Sequence, residues 1–198
     1  MTKKFNSSKQ ISENYSVLKS DGQTKHGEYI SYFLLTAEES KQIKNGIQKL
    51  ENFIKLKGIY KNGKKNGEWI EYSRPFYFQT LGNYDSDKKV GIWLTSKEQG
   101  QVFERYDFDN NKKLQPVIKV WAKYPKSAQD IGLQGTVTIS YQINKDCSIT
   151  NIILIKGLSS DCDKTAIEAL SRTEALLKKY SQSCEEKTET TEVQFNLK

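Results

Sequence analysis

Gly135-Thr136-Val137-Thr138-Ile139-Ser140-Tyr141-Gln142-Ile143 alternates between apolar and polar residues without a break. In an extended chain Val137, Ile139, Tyr141 and Ile143 fall on one face, and Thr136, Thr138, Ser140 and Gln142 on the other. This predicts a strand of a sheet covered on one side only. Downstream, Asn144-Lys145-Asp146 predicts a hairpin turn into a second apolar run, residues 149–155. A loop over 157–161 follows, then a helix capped by Asp161 or Asp163, with a stripe of Ala166, Leu170, Thr173, Leu177 and Tyr180. Thr190-Thr191-Glu192-Val193-Gln194-Phe195-Asn196-Leu197 alternates again and closes the block.

The order strand, strand, helix, strand restricts the topology. A right-handed crossover through the helix places strand three parallel to strand two, with strand one between them. Strand three then lies at an edge, with unpaired backbone donors and acceptors. The same topology sorts the cysteines. Cys147 sits at the hairpin and Cys184 beyond the helix, at one end, while Cys162 lies at the other end. A straight helix of that length separates Cys162 from Cys184 by about 25 Å, so in an oxidising compartment Cys147–Cys184 is the permitted bridge. Three reduced cysteines are the other state open to the chain.

Upstream, a period of 24 residues relates Tyr60-Lys61-Asn62-Gly63-Lys64-Lys65, Tyr84-Asp85-Ser86-Asp87-Lys88-Lys89 and Phe108-Asp109-Asn110-Asn111-Lys112-Lys113. Gly58 and Gly82 keep the step, as do Gly67-Glu68-Trp69 and Gly91-Ile92-Trp93. A fixed period with constant chemistry marks a repeat architecture. Each unit reads as a hairpin with Gly63, Asp87 or Asn111 in the turn, and stacked hairpins predict a meandering sheet with aromatic rungs. Gly27-Glu28-Tyr29 is an earlier, irregular copy, 40 residues before Gly67-Glu68-Trp69. Residues 36–51 supply the excess and read as an inserted helix near 37–54. Thr36-Ala37-Glu38-Glu39 is its capping box, and Ile43, Ile47, Leu50 and Ile54 share a face.

Composition narrows the function. The chain of 198 residues has net charge +7, carried by lysines scattered among acids, with Arg74, Arg105 and Arg172 its arginines. Phosphate and base readers lean on arginine, so no nucleic-acid partner is expected. The longest purely aliphatic run, Ile152-Ile153-Leu154-Ile155, is far short of the ~20 residues of a membrane span. Met1-Thr2-Lys3-Lys4 lacks the apolar stretch of a signal peptide behind it. A periplasmic or envelope location is expected if an export or anchor segment was removed, and a cytoplasmic one otherwise. His26 is the single histidine, no Cys-x-x-Cys occurs, and Asn62-Gly63-Lys64-Lys65 lacks the features of a phosphate loop. No enzyme, metal or cofactor is expected.

Two resemblances add to this reading. Tyr124-Pro125, Gly135-x-Val137-x-Ile139 and Val193-x-Phe195-x-Leu197 make residues 119–198 similar to the C-terminal domain of TonB-type energy transducers. The resemblance implies a non-enzymatic domain that docks a protein partner, the TonB box of an outer-membrane receptor, by strand addition. The accepting edge would be Glu192, Val193, Gln194, Phe195, Asn196 and Leu197, flanked by Trp121, Tyr124 and Pro125. Two departures stand out. Asp146-Cys147 replaces the family's usual Asp-Gly, and Leu176-Leu177-Lys178-Lys179-Tyr180 lies where the family has Trp-x-Pro. Gly-x-Tyr-x-x-Gly-x-x-x-Gly-x-Trp, from Gly58 to Trp69, resembles MORN repeats of the YwqK type, loosely over 15–114 and well over 58–113. Such proteins serve as scaffolds or binding surfaces, and some are named antitoxins, which gives an alternative immunity-like function. The expected fold is a β-rich two-domain chain. It comprises a flexible segment 1–14, a hairpin meander over 15–114 with one inserted helix, and an α+β domain over 119–198 with a three-stranded antiparallel sheet.

Overall fold

The computed structural model describes residues 2–7, 9–73 and 79–197, so Met1, Ser8, Arg74 and Lys198 lie outside it. Nine strands form one sheet in chain order: β1 (Thr2–Phe5), β2 (Ile11–Val17), β3 (Lys25–Tyr32), β4 (Ile54–Lys61), β5 (Lys64–Tyr72), β6 (Gln79–Asp85), β7 (Lys88–Lys97), β8 (Val102–Asp107) and β9 (Lys112–Ile118). The chain divides into two compact units, Met1–Ser96 with Arg105–Lys113, and Lys97–Glu104 with Leu114–Lys198.

In the first unit the hairpins follow from local backbone chemistry. Asn62 (φ 51°) and Gly63 (φ 81°) both occupy the left-handed region, as do Ser86 (φ 51°) and Asp87 (φ 72°). Two such residues in succession give the tight turn whose twist matches the flanking strands. They set Lys61 opposite Lys64 and Asp85 opposite Lys88. The 24-residue period is also a packing period. The Trp69 indole lies on Gly58 and the Trp93 indole on Gly82, where a Cβ would intrude into the ring. The Trp69 Nε1–H donates to the Ile59 carbonyl and the Trp93 Nε1–H to that of Asn83, both at 3.2 Å. Rings then meet edge-on from strand to strand, with Tyr60–Trp69 and Tyr84–Trp93 both at 5.1 Å and 87°. Tyr29 meets Tyr60 at 5.3 Å much as Trp69 meets Tyr84 at 6.0 Å. The irregular early copy therefore shares the geometry of the later ones.

Two expectations for this unit are corrected. The inserted helix is short: α1 spans Ala37–Lys44, with the Thr36–Glu39 capping box formed at its start. Asn45 caps its end and Gly46 turns left-handed (φ 71°), a cheap way to stop a helix. Ile47 is consequently exposed, and Phe53, in a 3-10 turn over Leu50–Phe53, is the residue buried instead. Residues 1–14, expected as flexible, supply β1 and the start of β2, with Thr2 opposite Tyr15 and Lys4 opposite Glu13. The β1 side chains all remain exposed, so no alternation announced the strand. Its register comes from backbone pairing and the Lys4–Glu13 ion pair at 3.3 Å.

The second unit contains a three-stranded sheet of β10 (Gly135–Ile143), β11 (Ile149–Lys156) and β12 (Lys187–Phe195) in the order β11-β10-β12. Both outer strands run antiparallel to β10. Short helix α2 (Lys126–Asp130) precedes the sheet, and α3 (Ser160–Tyr180) links β11 to β12. Val137, Ile139, Tyr141 and Ile143 of β10 join Ala166, Leu170 and Leu177 of α3 and Val193 and Phe195 of β12 in one core. Each large aliphatic or aromatic side chain buried here contributes roughly 1.5–3 kcal/mol. Ser159 caps α3, its hydroxyl accepting from the Cys162 N–H at 3.3 Å. The expected cap, Asp163, instead accepts from the Leu158 N–H at 2.8 Å, and Asp161 accepts from the Ser127 hydroxyl at 2.5 Å. Pro116 lies inside β9, the last strand of the large sheet, where a missing donor is tolerated.

Candidate functional site

The small sheet has two open edges of different construction. Against β10, β12 keeps an unbroken register over nine residues, from Gly135 opposite Phe195 to Ile143 opposite Lys187. Its outer margin is thus a straight row of peptide groups. Val193 and Phe195 point into the core, while Thr188, Thr190, Glu192 and Gln194 are exposed. Asn196 and Leu197 lie beyond the strand, and the Leu197 N–H donates to Gln134 Oε1 at 3.3 Å. The expected edge residues therefore divide into two anchored in the core, two on the open face and two past the strand end.

β11 is interrupted. Its register against β10 shifts between Ser140 and Gln142 and again between Thr138 and Ile139, each time with one extra residue on β11. Asn151 adopts φ 51° at the first of these bulges. A bulge disrupts the ladder and bends the strand. Around them Ile152, Ile153, Leu154 and Ile155 are all exposed, Ile153 by 61% and Ile155 by 59%. Four successive aliphatic residues carry no alternation that would assign them to one face, and with one face packed a strand cannot bury every member of such a run.

Tyr124 and Pro125 brace the module from within. The Tyr124 ring packs 5.5 Å from that of Phe195, and its hydroxyl donates to the Leu133 carbonyl. Pro125 occupies the N-cap of α2, its carbonyl accepting from the Gln129 N–H at 3.0 Å. Trp121 stands apart from this pair. It is 53% exposed, with the Arg172 guanidinium of α3 5.6 Å from its ring and Arg172 Nη1 donating to its carbonyl at 3.4 Å.

The β10–β11 turn is fastened covalently. Cys147 takes the left-handed position (φ 64°) of a three-residue loop in which its N–H donates to the Asn144 carbonyl at 2.9 Å. Glycine favours this position, and a side chain there costs about 1–2 kcal/mol. A disulfide joins Cys147 to Cys184, and Cys162 is free and buried. The Cys184 N–H donates to the Lys145 carbonyl at 3.0 Å, so the bridge and a backbone bond hold the same turn.

Residues 122–197 match the family described as Gram-negative bacterial TonB protein C-terminal. Protein TonB from Helicobacter pylori strains J99 and 26695 is 37% identical over 68 residues, which is 34% of this chain. The chain spans 24% of the length of these curated relatives. No solved structure matches. The similarity coincides with the ββαβ module and its two edges, so the geometry above belongs to the TonB-like part of the chain.

The module's charges serve its structure. Glu174 on α3 is held below the usual carboxylate range, first by the hydrogen bond from Lys178 and then by the Ile149 N–H. Its Oε2 accepts that N–H at 2.9 Å, covering the first amide of β11. Burial, with Glu189 nearby, pushes Tyr141 up to about 12. Among the described residues no cluster of His, Cys, Asp or Glu is placed to hold a metal ion, and no helix is long and apolar enough to cross a membrane.

Proposed function

We propose that this chain is a non-enzymatic, TonB-like interaction protein of the bacterial envelope that captures an extended peptide of a protein partner by strand addition on β12. The observation that carries the reading is the unbroken nine-residue register of β12 at the sheet edge, inside the segment similar to TonB. Strand addition needs a regular row of free peptide groups, which β12 offers and twice-bulged β11 does not. The partner fitting the similarity is the TonB box of an outer-membrane receptor. The Cys147–Cys184 bridge agrees with an oxidising compartment such as the periplasm. The repeat unit, with its MORN-like pattern, serves as a scaffold. An immunity-like function through its ring ladder is less well supported, because Trp69 and Trp93 are buried in the sheet.

Amide-shift titration of the labelled chain with receptor box peptides tests the proposal. Shifts should concentrate on residues 188–195 and disappear in Gln194→Pro, which removes a backbone donor. Absence of shifts at millimolar peptide, or shifts confined to the repeat unit, would discard strand addition on β12.

A further inference from the structure

The β12 strand is anchored unevenly along its length. Lys187, Glu189, Thr191, Val193 and Phe195 alternate onto its core-facing side. Val193 and Phe195 are enclosed. Lys187, Glu189 and Thr191 are only half-buried, although they stand opposite the core residues Ile143, Tyr141 and Ile139 of β10. Lys187 and Glu189 pair with each other at 2.6 Å, and a pair this open to water contributes little. Apolar burial therefore pins the end of β12. Residues 187–192 depend on backbone pairing and on what holds the start of the strand.

That start is held by the disulfide. A coil over 181–186 leads from α3 to Lys187, and Cys184 within it is bonded to Cys147. The Cys184 N–H donates to the Lys145 carbonyl at 3.0 Å, and the Glu185 N–H donates to Gln115 Oε1 at 2.6 Å. Of these ties only the bridge is covalent, and it fastens the approach to β12 onto the β10–β11 turn. We propose that Cys147–Cys184 is a redox switch on the β12 edge. Oxidised, it presents the whole row of peptide groups; reduced, it lets residues 187–192 fray from β10. Its consequence for binding rests on the capture reading, because a captured strand needs the row that reduction shortens.

The reductant is a dithiol. One of its thiolates attacks Cys184 Sγ, since Cys184 is the less enclosed partner, 7% exposed against 1% for Cys147. The S–S bond breaks, and Cys147 leaves as a thiolate that takes up a proton. The second thiol of the reductant then displaces Cys184 and closes the reductant's own disulfide. Two electrons and two protons thus pass to the cysteine pair. With the bridge cut, the coil, its two hydrogen bonds and the polar half of β12 open as one segment, because local opening selects stretches with little buried apolar surface. Val193 and Phe195 stay in the core. Cys162, buried in the first turn of α3, takes no part.

Amide hydrogen exchange of the full chain, oxidised and in millimolar dithiothreitol, tests the switch without any peptide, with thiol alkylation reporting that the bridge has opened. Amides of residues 187–192 that bond β10 should lose most of their protection on reduction, and those of Val193 and Phe195 much less. Affinity for box peptides should drop about tenfold, because the fraction of molecules with an intact edge sets the apparent constant. Glu189→Val with Thr191→Val gives the polar half apolar side chains opposite Tyr141 and Ile139. That variant, once reduced, should keep both protection and affinity. A bridge that dithiothreitol leaves closed in the folded chain would overturn the proposal. So would equal loss of protection along β12, or a valine variant as sensitive to reduction as the wild type. If box peptides fail to bind the oxidised chain, the capture reading falls, while the exchange comparison still decides whether the bridge controls the strand.

Discussion

The two units solve the burial problem in different ways. In the repeat unit each indole lies on a glycine of the preceding strand and meets the rings beside it, so the packing is passed on every 24 residues. In the ββαβ module, one helix and three strands share a core in which Leu170, Ile139 and Phe195 are each almost wholly enclosed. A repeat's stability is close to a sum of neighbouring contacts, whereas a single shared core is lost or kept as a whole. Damage should therefore stay local in the first unit and spread through the second.

The largest effect is expected from the disulfide. A cross-link with a sequence separation of 37 is worth about 4 kcal/mol by loop-closure entropy. Cys184→Ser should lower hydrogen-exchange protection together in β10, β11, β12 and α3 while leaving β5 to β7 unchanged. Cys147→Gly with Cys184→Ser should be milder than Cys147→Ser with Cys184→Ser by about 1 kcal/mol, because glycine suits the left-handed turn. Loss confined to the 144–148 turn would show that the module does not respond as one body.

Gly82→Ala sharpens the other side of the contrast. Its Cβ would intrude on the Trp93 indole, and overpacking of this kind costs typically 1–3 kcal/mol. Protection should fall in β6 and β7, with β10 to β12 retained. Equal loss across both units would break the comparison.

The smallest effect concerns pH. Burial raises the Glu13 pKa, but the hydrogen bonds and charges of Lys25 and Lys4 outweigh it, leaving the group below its ordinary 4.5. A carboxylate depressed by folding adds stability that is present above the unfolded pKa and lost as pH falls through the folded one. The stability of the repeat unit, followed by tryptophan fluorescence on unfolding, should therefore fall on acidification below about pH 4.5, and Glu13→Gln should flatten that dependence. An unchanged slope in the variant would remove Glu13 as its source.

Local chemistry made much of the fold legible. The alternation at 135–143, the hairpin turns at Asn62-Gly63 and Ser86-Asp87 and the capping box at Thr36–Glu39 act within a few residues of themselves. The 24-residue period was equally legible, because each glycine and the indole it accepts recur at one step. The end of α1 was misjudged because an apolar stripe continues past Gly46, and the left-handed turn there outweighed it. β1 left no pattern, since its side chains are exposed and only its peptide groups are paired.

The sequence by itself determined where strands and turns form and which face of β10 is apolar, because those are matters of backbone preference and period. It also placed Trp121, Tyr124 and Pro125 near the start of the module. Only the tertiary structure separated the exposed Trp121, stacked with Arg172, from the enclosed Tyr124, packed on Phe195. It alone distinguished the regular edge from the bulged one and left Ile152 to Ile155 in solvent. A strand's exposure depends on the neighbours that pair with it and cover it, and those neighbours are set by the path of the whole chain.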